Sequence, residues 1–100
     1  MIAVNRPLFK LGQVVATPGA LEKLGQAKQS VWEFLSRHAA GDWGIVNAED
    51  QALNDAALKD GSRILSAYSL KTKKTIWIIT EAADDQGKRA VTTLLLPDEY

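Results

Sequence analysis

The chain has 100 residues, 46% of them apolar and 24% charged, with twelve basic and twelve acidic side chains in balance. That size suits one domain with a single core, residues 1–100. The neutral balance removes any bulk pull toward nucleic acid or an anionic membrane surface, so a nucleic-acid role would have to rest on a local patch. With no cysteine there are no disulfides, thiolate nucleophiles or thiolate metal sites, and the cytoplasm is the expected compartment.

Met1 to Lys10 lacks the basic start and long apolar run of a signal peptide, and no stretch approaches the ~20 apolar residues that span a bilayer. Secretion and membrane association are therefore not expected. Leu8 to Ala16 alternates loosely and includes Val14 and Val15, which fits a short strand at a sheet edge or an extended arm. Thr17-Pro18-Gly19 opens a first helix, because threonine caps an N-terminus and proline at the next position has a preset φ and needs no amide donor. Leu21 and Leu24 form its apolar face and Gly25 is the expected stop.

Ser30, with Glu33 three positions on, matches the reciprocal capping box at the start of an amphipathic helix that carries Val31, Trp32, Phe34 and Leu35 to Ala40. Gly41-Asp42-Trp43-Gly44 breaks that helix, and Trp43 is expected to pin the turn to the core. Asn47 caps a third helix with Glu49 and Asp50 in its first turn, a buried stripe of Leu53, Ala57 and Leu58, and Asp60-Gly61 as its end. Three β-rich runs follow, Arg63 to Leu70, Thr75 to Glu81 and Ala90 to Leu96, joined by the polar breaks Lys71 to Lys74 and Asp84 to Lys88. The prediction is an α+β domain of about three helices followed by a three-stranded antiparallel meander, with a possible short N-terminal strand.

Few residues carry chemistry. His38 is the single histidine; it would suit a general acid or base, while the plainer reading is a helix C-terminus where it satisfies the last carbonyls and the dipole. On the first strand of the meander, period two puts Ser66 and Tyr68 on one face and Arg63 on the other. Arginine, hydroxyl and tyrosine beside His38 would suit phosphodiester cleavage, whereas a strand-start arginine paired to a carboxylate and a half-buried tyrosine is the plainer reading. Thr80, Thr92 and Thr93 are ordinary strand residues that would also supply hydroxyls to a site. Trp32, Trp43 and Trp77 lie in apolar contexts that favour core packing over base stacking. Lys71, Lys73, Lys74, Lys88 and Arg89 fall in the two hairpin loops, diluted by Asp84 and Asp85, and read as solvated surface that could approach phosphate. One histidine without cysteine gives metal binding little support, and no glycine-rich phosphate loop or nucleophile elbow is present. No cofactor is expected.

Three stretches together resemble a known pattern: Phe9 to Leu21, Arg37-His38 with Gly41-Asp42-Trp43-Gly44, and the meander from Gly61-Ser62-Arg63-Ile64-Leu65-Ser66-Ala67-Tyr68 through Ile76 to Glu81 to Thr92-Thr93-Leu94-Leu95-Leu96-Pro97. The pattern is similar to a family of small bacterial proteins frequent on plasmids and other mobile elements, labelled plasmid-related and sometimes as a restriction-enzyme subunit. The chain departs from that family in its longer last hairpin, Ala82 to Arg89. The resemblance, together with the absence of a convincing catalytic constellation, points to an accessory protein of a mobile element that binds a protein or nucleic-acid partner through an exposed sheet face or the glycine turn. A monomer or homodimer is expected, since an exposed edge strand would make a dimer easy. A looser similarity to RelE-like and barnase-like ribonuclease toxins implies the alternative, a metal-independent endoribonuclease. In that alternative His38 moves the proton, Arg63 binds the phosphate, Tyr68 positions it and Ser66 and Thr92 supply hydroxyls.

Overall fold

The computed structural model describes residues 6–100. Met1 to Asn5, half of the segment read above for a signal sequence, lie outside the described residues. Strand β1 (Gln13–Ala16) leads into three helices, α1 (Pro18–Ala27), α2 (Val31–Ala39) and α3 (Ala48–Asp60). The strands β2 (Ile64–Ser69), β3 (Thr75–Thr80) and β4 (Val91–Leu95) follow, and a 3-10 turn at Pro97–Glu99 closes the chain. The α+β class and the three-strand meander are as the sequence predicts. The sheet is nevertheless four-stranded and mixed, in the order β1-β4-β3-β2, with β1 parallel to β4 and the other pairs antiparallel.

Local chemistry accounts for most helix ends. The Thr17 hydroxyl accepts from the Ala20 amide with Pro18 in the first turn, and Asn47 accepts from the Asp50 amide. Ser30 caps α2 but accepts from Trp32, while Glu33 takes the Gln29 side-chain amide, so the expected reciprocal box does not form. Gly25 does not end α1. The helix runs to Ala27 because Lys28 itself adopts the left-handed conformation, at φ 56°, and closes the C-terminus.

Helices α1 and α2 cover one face of the sheet, where Ala20, Leu24, Phe34 and Leu35 meet Tyr68, Ile76, Ile78 and Leu94. Fully burying a large apolar side chain contributes roughly 1.5–3 kcal/mol, which makes this face the main source of stability. Orienting Phe34, Leu35, His38 and Ala39 inward rotates Trp32 outward, and it is 64% exposed rather than packed in the core. On the opposite face the 3-10 turn brings Tyr100 edge-on to Trp77, 5.7 Å between ring centroids.

Helix α3 docks differently, against the edge of β2 rather than a face. A smaller apolar cluster of Trp43, Ala57 and Ile64, backed by Phe9, Val46 and Leu58, holds it. Leu53, expected in the buried stripe, is 61% exposed, and Asn54 takes the inward position at 5%. The reason is the surface being covered. A strand edge offers amide groups, and the Asn54 side chain donates to the Leu65 carbonyl and accepts from the Leu65 amide at 2.8 and 3.1 Å, as a neighbouring strand would. The glycine turn completes the same edge: the Ala67 amide donates to the Trp43 carbonyl and the Ile45 amide to the Ala67 carbonyl. Gly44 is obligatory there, with φ 77° and the Ala67 carbonyl oxygen 1.8 Å from where a Cβ would sit.

Asn54→Ala is expected to lower unfolding free energy by about 2–4 kcal/mol, since two buried backbone groups lose their partners at once. Urea unfolding checks it; a loss below about 0.5 kcal/mol, the usual range for an inconsequential surface change, would mean water replaces the side chain freely.

Candidate functional site

His38 sits on the inner face of α2, fully buried at the junction of the two apolar clusters, with Phe9 and Trp43 edge-on to its ring at 5.3 and 6.0 Å. Its ring does not cap the helix carbonyls. Nδ1 lies 2.6 Å from the Ser66 hydroxyl on β2 and Nε2 lies 2.9 Å from the Thr80 hydroxyl on β3. Thr80 is 2.7 Å from Thr92, its register partner on β4, and the Thr92 hydroxyl reaches the Leu11 carbonyl at 2.7 Å.

The last contact fixes the direction of the whole chain of bonds. A carbonyl only accepts, so Thr92 donates to Leu11 and therefore accepts from Thr80. Thr80, its proton committed, accepts from His38 Nε2–H, and Nδ1 accepts from Ser66. The imidazole is thus the Nε2–H tautomer, and every group in the sequence is satisfied.

Burial, with the positive charge of Arg89 as a smaller contribution, pushes the His38 pKa down to about 3. The imidazole is neutral in the folded protein throughout the physiological range. Ser66, Thr80 and Thr92 are each closed from solvent, as His38 is. Tyr68 is also buried: its hydroxyl donates to the Asp42 carbonyl, Arg37 lies over its ring at 4.6 Å, and desolvation raises its pKa to about 12. Asp42 in turn accepts from Arg37 at 2.7 Å, which holds its carboxyl below the usual range. These bonds tie the glycine turn to β2 and α2, and the Trp43 Nε1–H, which donates to Asp55, ties it to α3.

The structure therefore brings together four of the five residues singled out in the sequence, His38, Ser66, Tyr68 and Thr92, and adds Thr80. It places them inside the core. Arg63 is not among them. It faces the other side of the sheet, where it donates to the Tyr100 hydroxyl with its guanidinium 5.5 Å from that ring, and among the described residues it takes no carboxylate partner.

Solvent-facing concavity lies elsewhere. A cleft of about 770 Å³ runs between the arm Leu8–Gly12, the end of α3 and the last hairpin, and Lys10, Lys59, Lys88 and Arg89 line it together with Phe9 and Leu58. Among the described residues no carboxylate lines it. Arg89 anchors its floor, donating to the carbonyls of Ala57, Ser62 and Glu81 at 2.8 to 3.0 Å while its guanidinium lies 5.7 Å from the Phe9 ring centroid. These bonds also neutralise carbonyls at the C-terminus of α3, which would otherwise oppose an anion. Asp84 is turned into its own loop, accepting from the amides of Gln86 and Lys88.

Sequence reading connected Lys88 and Arg89 with phosphate but missed Lys10 and Lys59. They stand 49 positions apart in the chain, and no local spacing joins them. Among the described residues no three histidine or carboxylate side chains gather as a metal site would require, and no helix is long and apolar enough to cross a membrane.

No protein-family model, curated protein or solved structure matches the chain.

The single histidine gives a clean test of the buried network. Its ring signals in NMR are expected to hold one position from pH 8 down to about 4, where an exposed imidazole titrates near 6.5. Because the folded pKa lies below the unfolded value, His38 contributes stability that is whole above pH ~6.5. It is lost toward pH ~3 at up to about 1.4 kcal/mol per unit, as the unfolded chain takes up the proton the folded chain refuses. A ring titrating near 6.5 in the folded protein would overturn the buried assignment.

Proposed function

We propose that the chain is a non-catalytic binding module whose basic cleft holds the phosphate backbone of a nucleic acid, in the accessory role on a mobile element that its sequence resemblance suggests. The observation that carries this reading is the lining of the cleft: three lysines and an arginine contributed by three separate segments, with no carboxylate among them. Neutralising phosphates with such side chains releases condensed counterions, which gives affinity without base readout. Arg89 is held by three carbonyls and so supplies a fixed cation, whereas the lysines are compact charges on flexible stems that adjust to phosphate spacing.

The ribonuclease alternative finds no comparable support. A general acid must reach its substrate, and His38 is sealed away, while Arg63 stands on the opposite face of the sheet. A neutral, fully bonded imidazole also lacks the poise near neutral pH that proton transfer requires.

Fluorescence anisotropy with short RNA and DNA oligomers tests the reading across a salt series. The wild type is expected to bind with an affinity that falls steeply with salt. Each of Lys10→Ala, Lys59→Ala and Lys88→Ala is expected to lower the slope of log K against log salt by about 1 without altering sequence preference. Unchanged binding in the triple variant, or no binding by folded wild type, would overturn the cleft assignment. Cleavage of the same oligomers in chelator would overturn the non-catalytic half.

A further inference from the structure

The two edges of the sheet are finished differently. On β2 the outward amide groups of Leu65 and Ala67 are all taken, by Asn54 and by the Trp43–Ile45 turn. On β1 they are not. In the parallel pairing with β4 the Gln13 amide donates to Ala90 and the Thr17 amide to Leu94, so the odd-numbered residues bond inward. Val14 and Ala16 then turn their N–H and C=O groups outward, and no described residue pairs with them. Strand β1 carries no charged side chain, no proline and no bulge, the usual devices that keep an edge from pairing.

We infer that β1 is a dimerisation edge and that its occupant is a second copy of this chain, paired antiparallel across a two-fold axis to make one continuous eight-stranded sheet. Symmetry limits the register. Residues that face each other across an antiparallel pair lie on the same side of the sheet, so the axis, which runs between the two strands, must be level with a residue of β1 rather than with a point between two. Centring it on Val15 uses both outward residues. Val14 meets the partner's Ala16 in a hydrogen-bonded pair on each side of the axis, giving four bonds. Val15 meets the partner's Val15 in the closer, non-hydrogen-bonded position.

Val15 is 39% exposed and available for that contact. Gly12, at φ 66°, bends the chain away before the strand, which confines the pairing to this short stretch. A strand edge of another protein would satisfy the amides equally, but a second copy also sets the exposed Val15 against itself at the axis, which makes the short edge complementary to itself.

Sedimentation equilibrium over micromolar to millimolar protein is expected to give a reversible monomer–dimer equilibrium. Val15→Lys sets like charges against each other at the axis, and Ala16→Pro removes an outward N–H that no intrachain bond uses; each is expected to shift the chain to monomer with unchanged circular dichroism. Amide exchange of the wild type supplies a readout independent of any variant. Val14 and Ala16 should become protected as concentration rises, while the exchange of Leu65 and Ala67 stays constant. A monomer at every concentration with fast-exchanging Val14 and Ala16, or a dimer that both folded variants leave intact, would overturn the inference.

Discussion

A buried imidazole tolerates no loose partner, and the packing around His38 is arranged to meet that demand. Its two ring nitrogens are bonded to hydroxyls on β2 and β3, and the bonds continue through β4 to the backbone of the arm that leads into β1. An unpaired polar group in an apolar interior costs about 1–3 kcal/mol, so each link penalises any slip of its element. The rotation of α2, the alignment of Thr80 with Thr92 and the seating of Leu11 against β4 are thereby coupled. The same bonds that make the network a sound piece of architecture withdraw its chemistry from solvent. Four residues that suggest a catalytic set are committed to one another or to backbone, and the imidazole stays neutral.

Edge chemistry is the second constraint. A sheet face accepts any apolar helix, and α1 and α2 meet it with leucine, phenylalanine and alanine. A sheet edge presents donors and acceptors, and α3 meets it with an asparagine whose amide reproduces the pattern of a strand. Gly44 lets the turn approach near enough to finish the same edge, and Arg37, Asp42 and Tyr68 lock that turn in place. The contrast with β1, which ends in open amides, is what gives the sheet a direction for further pairing.

The cleft arises where the arm, the end of α3 and the last hairpin converge, and Arg89 is the residue that makes them converge. Its guanidinium gathers carbonyls from α3, from the turn after it and from β3's exit, and lies against Phe9 of the arm. One side chain therefore both shapes the concavity and contributes to its charge. Net neutrality of the whole chain hides this local imbalance, because the acidic residues of the hairpin are engaged with their own loop or lie outside the lining.

The sequence by itself determined the elements whose signals are local. Thr17-Pro18, Ser30 and Asn47 cap helices because a hydroxyl or amide reaches amides two or three residues away, and the three apolar runs pair in sequence because short polar loops allow nothing else. Period two was enough to separate Arg63 from Ser66 and Tyr68. Only the tertiary structure decided the rest. The parallel placement of β1 beside β4 joins residues nearly eighty positions apart, Asn54 turns inward because of an edge it meets only on folding, and Trp32 turns outward because α2 must present His38 to the sheet. Whether His38 is a catalyst or a core residue, and whether Lys10 stands near Lys59, depends on burial and distance through space, quantities that a linear pattern of side chains does not contain.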